Sequence, residues 1–198
     1  IIKNMIEDLD FAYEHIQATS SVNSSTLTKW AAAALKSRVC LFEAAFRRYH
    51  KLTGLEITAE ELYAQAAGAA KLVMDNSGLS LNMATGTKGA YRDLFYLETP
   101  ITSEIILAVC ANSASGIYGT QNYWYNSLSY GKGWSLVRPF VNTYLNLDGT
   151  PFTSGTGYET KSFAAEMKDR DLRLAQTVRG LDFKRDGKAT VADMTVCL

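Results

Sequence analysis

The chain has 198 residues, with 20 lysines and arginines balanced by 20 aspartates and glutamates, and 47% of its residues are hydrophobic. Residues 1–99 carry 10 basic and 11 acidic side chains, and residues 100–198 carry 10 and 9, so neither half is a basic arm or an acidic tail. That balance argues against nonspecific binding to nucleic acid or to an anionic membrane surface. The longest unbroken apolar run, Ile105 to Ala111, is far too short to span a bilayer. Cys40, Cys110 and Cys197 show no C-x-x-C spacing, and His15 and His50 stand apart, which points to buried free thiols, no metal site and no cofactor. The chain opens Ile1-Ile2-Lys3 without an initiator Met or signal sequence and reads at once as mid-helix, so it is expected to be a piece of a larger protein.

Ile2, Ile6, Leu9, Tyr13 and Ile16 recur at helical spacing, which predicts an amphipathic helix over residues 1–17 with Glu7, Asp8, Asp10 and Glu14 on its solvated face. Ser20 to Ser25 is a polar linker, and Asn23-Ser24-Ser25 matches a glycosylation sequon, a pattern short enough to arise by chance. A second helix is predicted from about Thr26 to Tyr49. Leu35, Val39, Phe42, Phe46 and Tyr49 make one of its stripes and Ala31, Ala34, Leu41 and Ala45 a second, so the helix is expected to be wedged between neighbours. After Gly54, Thr58 and Glu61 form a capping box that opens a third helix, running to about Asn76, with Leu62, Ala66, Ala69 and Val73 on its buried face and Gly78 near its C-cap.

Two Ala-rich antiparallel helices joined by a short turn resemble one tetratricopeptide-type hairpin, a unit that normally stacks on copies of itself; no second copy is found. Beyond Ser80 the pattern loosens. Tyr91 to Leu97 reads as a short helix or turn, Glu104 to Val109 as a short buried strand, and Leu174 to Val178 as another strand. A helix or turn is expected near Phe163 to Lys168. Residues 112–160 are rich in Gly, Ser, Thr, Asn and Tyr, with Asp148-Gly149 as a turn signal, and a loop of that length is usually functional. The expected architecture is mainly α: a tetratricopeptide-like helical scaffold over residues 1–81, then a loop-rich ligand-side region over 82–198 with a few short strands, truncated at both ends.

Several segments together resemble the SusD/RagB family of glycan-binding outer-membrane lipoproteins. Thr28-Lys29-Trp30-Ala31-Ala32, with Ala34-Leu35-Lys36, Arg38 and Leu41, is similar to the family's Ala-rich repeat helix. Ala66, Ala69, Ala70, Val73, Met74 and Ser77-Gly78-Leu79-Ser80-Leu81 resemble the helix and turn that follow it. Tyr91-Arg92-Asp93-Leu94-Phe95, Ser103-Glu104-Ile105-Ile106-Leu107, Asp148-Gly149 with Pro151, and Arg170-Asp171-Leu172-Arg173-Leu174 then arrive in the family's order. Leu172 departs from the pattern, which usually carries Pro there. The resemblance implies a lipid anchor lying outside this fragment, a place at the outer-membrane cell surface, and delivery of oligosaccharide or polysaccharide to a SusC-like TonB-dependent transporter, with the helical repeats facing the transporter.

Residues 118–134 hold Tyr118, Tyr123, Trp124, Tyr125, Tyr130 and Trp134, six of the 22 aromatic residues, and no Phe. The single formal charge there is Lys132, while Gln121, Asn122, Asn126, Ser127 and Ser129 supply neutral donors and acceptors. Aromatics with a polar handle suit half-wet surfaces. Sugars present an apolar C–H face and a rim of hydroxyls, which matches flat rings beside amides. Two or three stacks at about 0.5–1.5 kcal/mol each, with several hydrogen bonds near 1 kcal/mol, total roughly 4–7 kcal/mol, or roughly millimolar to tens-of-micromolar affinity. Such weak capture gains from many sites along one polymer. Trp124 and Tyr125 are the first choices, followed by Tyr123, Trp134, Tyr118, Tyr130, Asn122 and Asn126.

No other group competes well. Asp182, Asp186, Gly187, Thr190 and Asp193 mimic an EF-hand loop, but Lys184 takes the third ligand position and Asp193 replaces the final Glu. Glu60/Glu61 belong to a helix start, and Asp169/Asp171 to a stretch rich in Lys and Arg, so neither makes a glycosidase pair, and no catalysis is expected. The reading from a different class is a helical-repeat protein-interaction scaffold whose aromatic loop is merely packed.

Overall fold

The computed structural model describes residues 1–19, 24–97, 99–110, 116, 135–178 and 180. The described chain is mainly helical and divides into two compact units, one of residues 1–82 and 97–110, the other of residues 83–96 and 111–198.

The first unit is built on three helices: α1 (Ile2–His15), α2 (Lys29–Tyr49) and α3 (Ala59–Asn76). The capping box that opens α3 is complete. The Thr58 hydroxyl accepts from the Glu61 N–H at 3.2 Å, and the Glu61 carboxylate accepts from the Thr58 N–H at 2.7 Å. These bonds satisfy donors that a helix start otherwise leaves unpaired. At the far end Gly78 takes φ +73°, a left-handed conformation that costs a Cβ-bearing residue more.

The core joins Ile6 of α1, Cys40 and Ala44 of α2, and Leu62 and Ala66 of α3, with Ile2, Ile57 and Tyr63 packed against them. Here the structure corrects the expectation for α2. Its buried positions are Ala32, Ala33, Cys40, Ala44 and Arg47, which belong to neither apolar stripe read from the sequence. Leu35, Leu41, Phe42, Phe46 and Tyr49 are exposed. The physical reason is that α1 and α3 both dock on the arc of small side chains, where backbones approach closely, and leave the opposite arc open. Arg47 is buried among them because its guanidinium is satisfied: it donates to Glu43 at 2.8 Å and to the Ile57 carbonyl.

Residues 97–110 return to this unit without forming a strand. Ile101 to Glu104 turn, the Ser103 carbonyl accepts from the Ser80 N–H at 2.8 Å, and the Glu104 carboxylate accepts from the Asn82 N–H at 2.6 Å. The expected buried strand at Glu104 to Val109 is therefore corrected: Leu107 and Val109 are exposed, and no partner strand pairs with them among the described residues.

The second unit contains short helices, α4 (Ala90–Tyr96), α5 (Arg138–Val141), α6 (Phe163–Glu166) and α7 (Leu172–Thr177), with two single 3-10 turns at Phe152–Ser154 and Tyr158–Thr160. The strand expected at Leu174 to Val178 is instead helical through Thr177, with Val178 as an extended C-cap. A run of five apolar and polar residues does not distinguish the two states by periodicity, and the Asp171 N-cap decides it. The extended pairing among the described residues is a single antiparallel bridge between Asn146 and Arg170.

Truncating the fully buried Leu62 to Ala is expected to cost about 2–4 kcal/mol in chemical denaturation. The corresponding change at Phe42, 71% exposed, should stay within about 0.5 kcal/mol.

Candidate functional site

The second unit is organised around a buried cation. Arg170 donates to four backbone carbonyls: from Nη1 to Glu166 at 2.9 Å, from Nη2 to Tyr144 at 2.8 Å and Val141 at 3.0 Å, and from Nε to Leu145 at 3.3 Å. Its guanidinium carbon lies 3.6 Å from the centroid of the buried Phe152 ring, a cation–π contact. Burial alone pushes the Arg170 pKa down, and the nearby Glu166 and Asp171 carboxylates oppose that. Arg138 Nε stands 3.0 Å from Glu166 Oε1 as an ion pair, without the alignment of a hydrogen bond. The polar hub ties the Asn146–Thr150 turn to the segment 169–171. The Leu147 N–H donates to the Asp169 carbonyl at 2.8 Å, and the Asp171 N–H to the Leu145 carbonyl at 2.9 Å.

Beside this hub lies a cleft of about 610 Å³ lined by Asn146, Leu147, Asp148, Lys161, Ala165, Lys168 and Asp169. Asp148 is committed to its own turn, accepting from the Thr150 hydroxyl at 2.7 Å and the Thr150 N–H at 3.0 Å, and these bonds hold its carboxyl below the usual range. Lys161 sits 5.0 Å over the Phe152 ring. The side chains of Lys168 and Asp169 are exposed and carry no hydrogen bond or ion pair among the described residues. Donors and acceptors of both signs thus line the cleft together with the exposed apolar side chains of Leu147 and Ala165, in a volume within the range of small-ligand sites.

The ligand residues read from the sequence, Tyr118, Asn122, Tyr123, Trp124, Tyr125, Asn126, Tyr130 and Trp134, all lie outside the described residues. So do Asn23, Cys197 and the EF-hand mimic at 182–193. No group of metal-ligating side chains forms among the described residues. Cys40 is fully buried, and burial pushes its thiol up, away from the thiolate a nucleophile needs. Glu61 serves the α3 cap, where the Thr58 hydrogen bonds hold its carboxyl down. Asp171 caps α7 by accepting from the Arg173 N–H at 2.9 Å and also pairs with the Arg173 guanidinium.

Two of the motif segments meet in the first unit, and residues in or beside two others meet in the second. In the first, residues 77–81 meet residues 103–107 through the Ser80–Ser103 bond. In the second, Gln176, two residues past the 170–174 segment, accepts from the Arg92 N–H at 3.0 Å and donates to the Thr87 carbonyl at 3.0 Å. Leu172 is the first residue of α7 and follows Asp171, whose ψ of 128° lies in the range taken by a residue before Pro. That is a position where Pro fits as well as Leu, because the N–H there has no intrahelical acceptor. The roles of Arg170 as a hub and of the exposed α2 arc are not readable from residue types. The Arg-Asp-Leu-Arg spacing at least marks the first as a charged turn. No protein family, curated protein or solved structure matches the chain.

Leu172→Pro is expected to fold, with stability unchanged or raised by up to about 1 kcal/mol in urea titration, since it restricts the unfolded chain where the folded backbone already complies. The Asp171 carboxyl is held low chiefly by its hydrogen bonds from Arg173, so its folded pKa lies below its unfolded value. Its contribution is therefore full above the unfolded pKa of about 3.9 and disappears as pH falls through the folded one. Urea titrations of the wild type and Asp171→Asn from about pH 6 down to about pH 2.5 should converge as the carboxyl protonates.

Proposed function

We propose that the chain captures oligosaccharide or polysaccharide at a cell surface without catalysis, as a SusD/RagB-like binding protein that passes glycan to a SusC-like TonB-dependent transporter. In this reading the protein sits at the outer membrane through a lipid anchor, and α1 to α3 belong to a tetratricopeptide-like scaffold. The observation that carries the reading is the segment 118–134, where six Tyr and Trp residues with no Phe stand among neutral amides and hydroxyls. Trp124 and Tyr125 supply the principal stacking faces, Tyr123, Trp134, Tyr118 and Tyr130 the others, and Asn122 and Asn126 bond hydroxyls at the rim. The ordered motif segments support the same reading, because Ser80, Ser103 and Arg170, which lie within them, cross-link the fold. The cleft beside the Arg170 hub adds a described surface with the mixed polar and apolar lining that saccharides use.

A second reading, a helical-repeat scaffold for protein partners, draws on one observation: the exposed apolar arc of α2. The two readings separate cleanly in affinity electrophoresis against a panel of neutral and acidic polysaccharides. Retardation by at least one polysaccharide is expected for the wild type, with each of Trp124→Ala and Trp134→Ala weakening it by about 3- to 10-fold. Equal retardation of wild type and both variants, or none with any polysaccharide, would remove the glycan reading.

A further inference from the structure

Each basic side chain of α2 that faces α1 or α3 is partnered. Lys36 pairs with Asp10 at 2.6 Å, Arg47 with Glu43, and Lys29 lies 4.4 Å from the centroid of the Tyr13 ring. The two on the open arc, Arg38 and Arg48, are exposed, and their guanidinium groups make no hydrogen bond or ion pair among the described residues. Around them Leu35, Leu41, Phe42, Phe46 and Tyr49 are between 44% and 83% exposed, and the Phe46 ring lies 4.4 Å from the His50 ring, tilted by 48°. A continuous apolar face with two unpaired guanidinium groups fits an occupant that is itself apolar and carries carboxylates.

The first helix of the same chain has that chemistry. Glu7, Asp8 and Glu14 are exposed on α1, beside Phe11, 63% exposed, and Met5, 38% exposed. Glu7, Phe11 and Glu14 share one helical face by their spacing. Glu7 and Glu14 stand about 10 Å apart along the axis, and Arg38 and Arg48 about 15 Å, a difference that long arginine side chains absorb. We propose that the chain self-associates head to tail, the outer face of α1 in one copy docking on the open arc of α2 in the next. Pairing α2 with α2 would set the arginines of two copies against each other, so charge rejects the symmetric arrangement. A head-to-tail contact does not use up both surfaces of a copy, so assembly grows with concentration unless the rotation closes a ring.

Sedimentation velocity on the full 198-residue chain over a wide concentration series tests this directly. The weight-average mass should rise with concentration, and added salt should lower it by screening the charge pairs. Arg38→Glu with Arg48→Glu should weaken association about tenfold with an unchanged circular dichroism spectrum. Adding Glu7→Lys with Glu14→Lys to that same variant should restore it, because the complementarity is then reversed rather than lost. A monomer at every concentration overturns the proposal. So does association that salt strengthens, that the arginine reversal leaves unchanged, or that the combined reversal fails to restore.

Discussion

Close approach of α1 and α3 to the small side chains of α2 is the constraint from which the first unit follows. Ala32, Ala33, Cys40 and Ala44 let two helices dock on one arc, and that docking decides which other groups lose water. Arg47 is drawn into the interface, so it needs Glu43 and the Ile57 carbonyl; a buried guanidinium without them would cost several kcal/mol, on the order of 3–5. Lys36 reaches Asp10, and the Ser37 hydroxyl donates to the Ala66 carbonyl at 2.8 Å. The same docking leaves the larger apolar residues of α2 outside.

The second unit answers a different problem. Helices of four to seven residues have few carbonyls with intrahelical partners, so short elements leave acceptors wherever they end. One guanidinium with five donors collects four of them from Val141, Tyr144, Leu145 and Glu166. Phe152 covers its face and Leu174 is fully buried in the same unit, so polar and apolar packing are joined there rather than separated. The hub also fixes the turn at Asp148 and Gly149 beside the cleft, which links a structural requirement to the placement of exposed polar groups.

Scaffold chemistry and the proposed ligand chemistry fall on different residues in this chain. The hydrogen bonds of Ser80, Ser103, Arg170 and Gln176 close each unit, and residues of that kind speak to fold. The proposed glycan function rests instead on a different segment, residues 118–134. The exposed arc of α2, to which the proposed self-pairing is assigned, is likewise separate from the residues that pack α2.

Local signals in the sequence determined the helices α1, α2 and α3, the reciprocal cap at Thr58 and Glu61, the left-handed residue at Gly78 and the turn at Asp148-Gly149, because each depends on residues within one or two turns of one another. The inward face of α3 was legible too, since Leu62, Ala66 and Ala69 have one apolar arc to offer. The segments 104–109 and 174–178 were not, because short apolar runs suit either state until a partner strand or a cap decides. Tertiary structure alone decided which arc of α2 is buried. Both arcs are apolar enough, and the choice fell to the smaller side chains because backbone proximity, not residue hydrophobicity, sets where two helices can pack. It alone decided as well that Arg170 becomes a core residue, since its four acceptors come from positions 4 to 29 residues away and converge only in the folded unit.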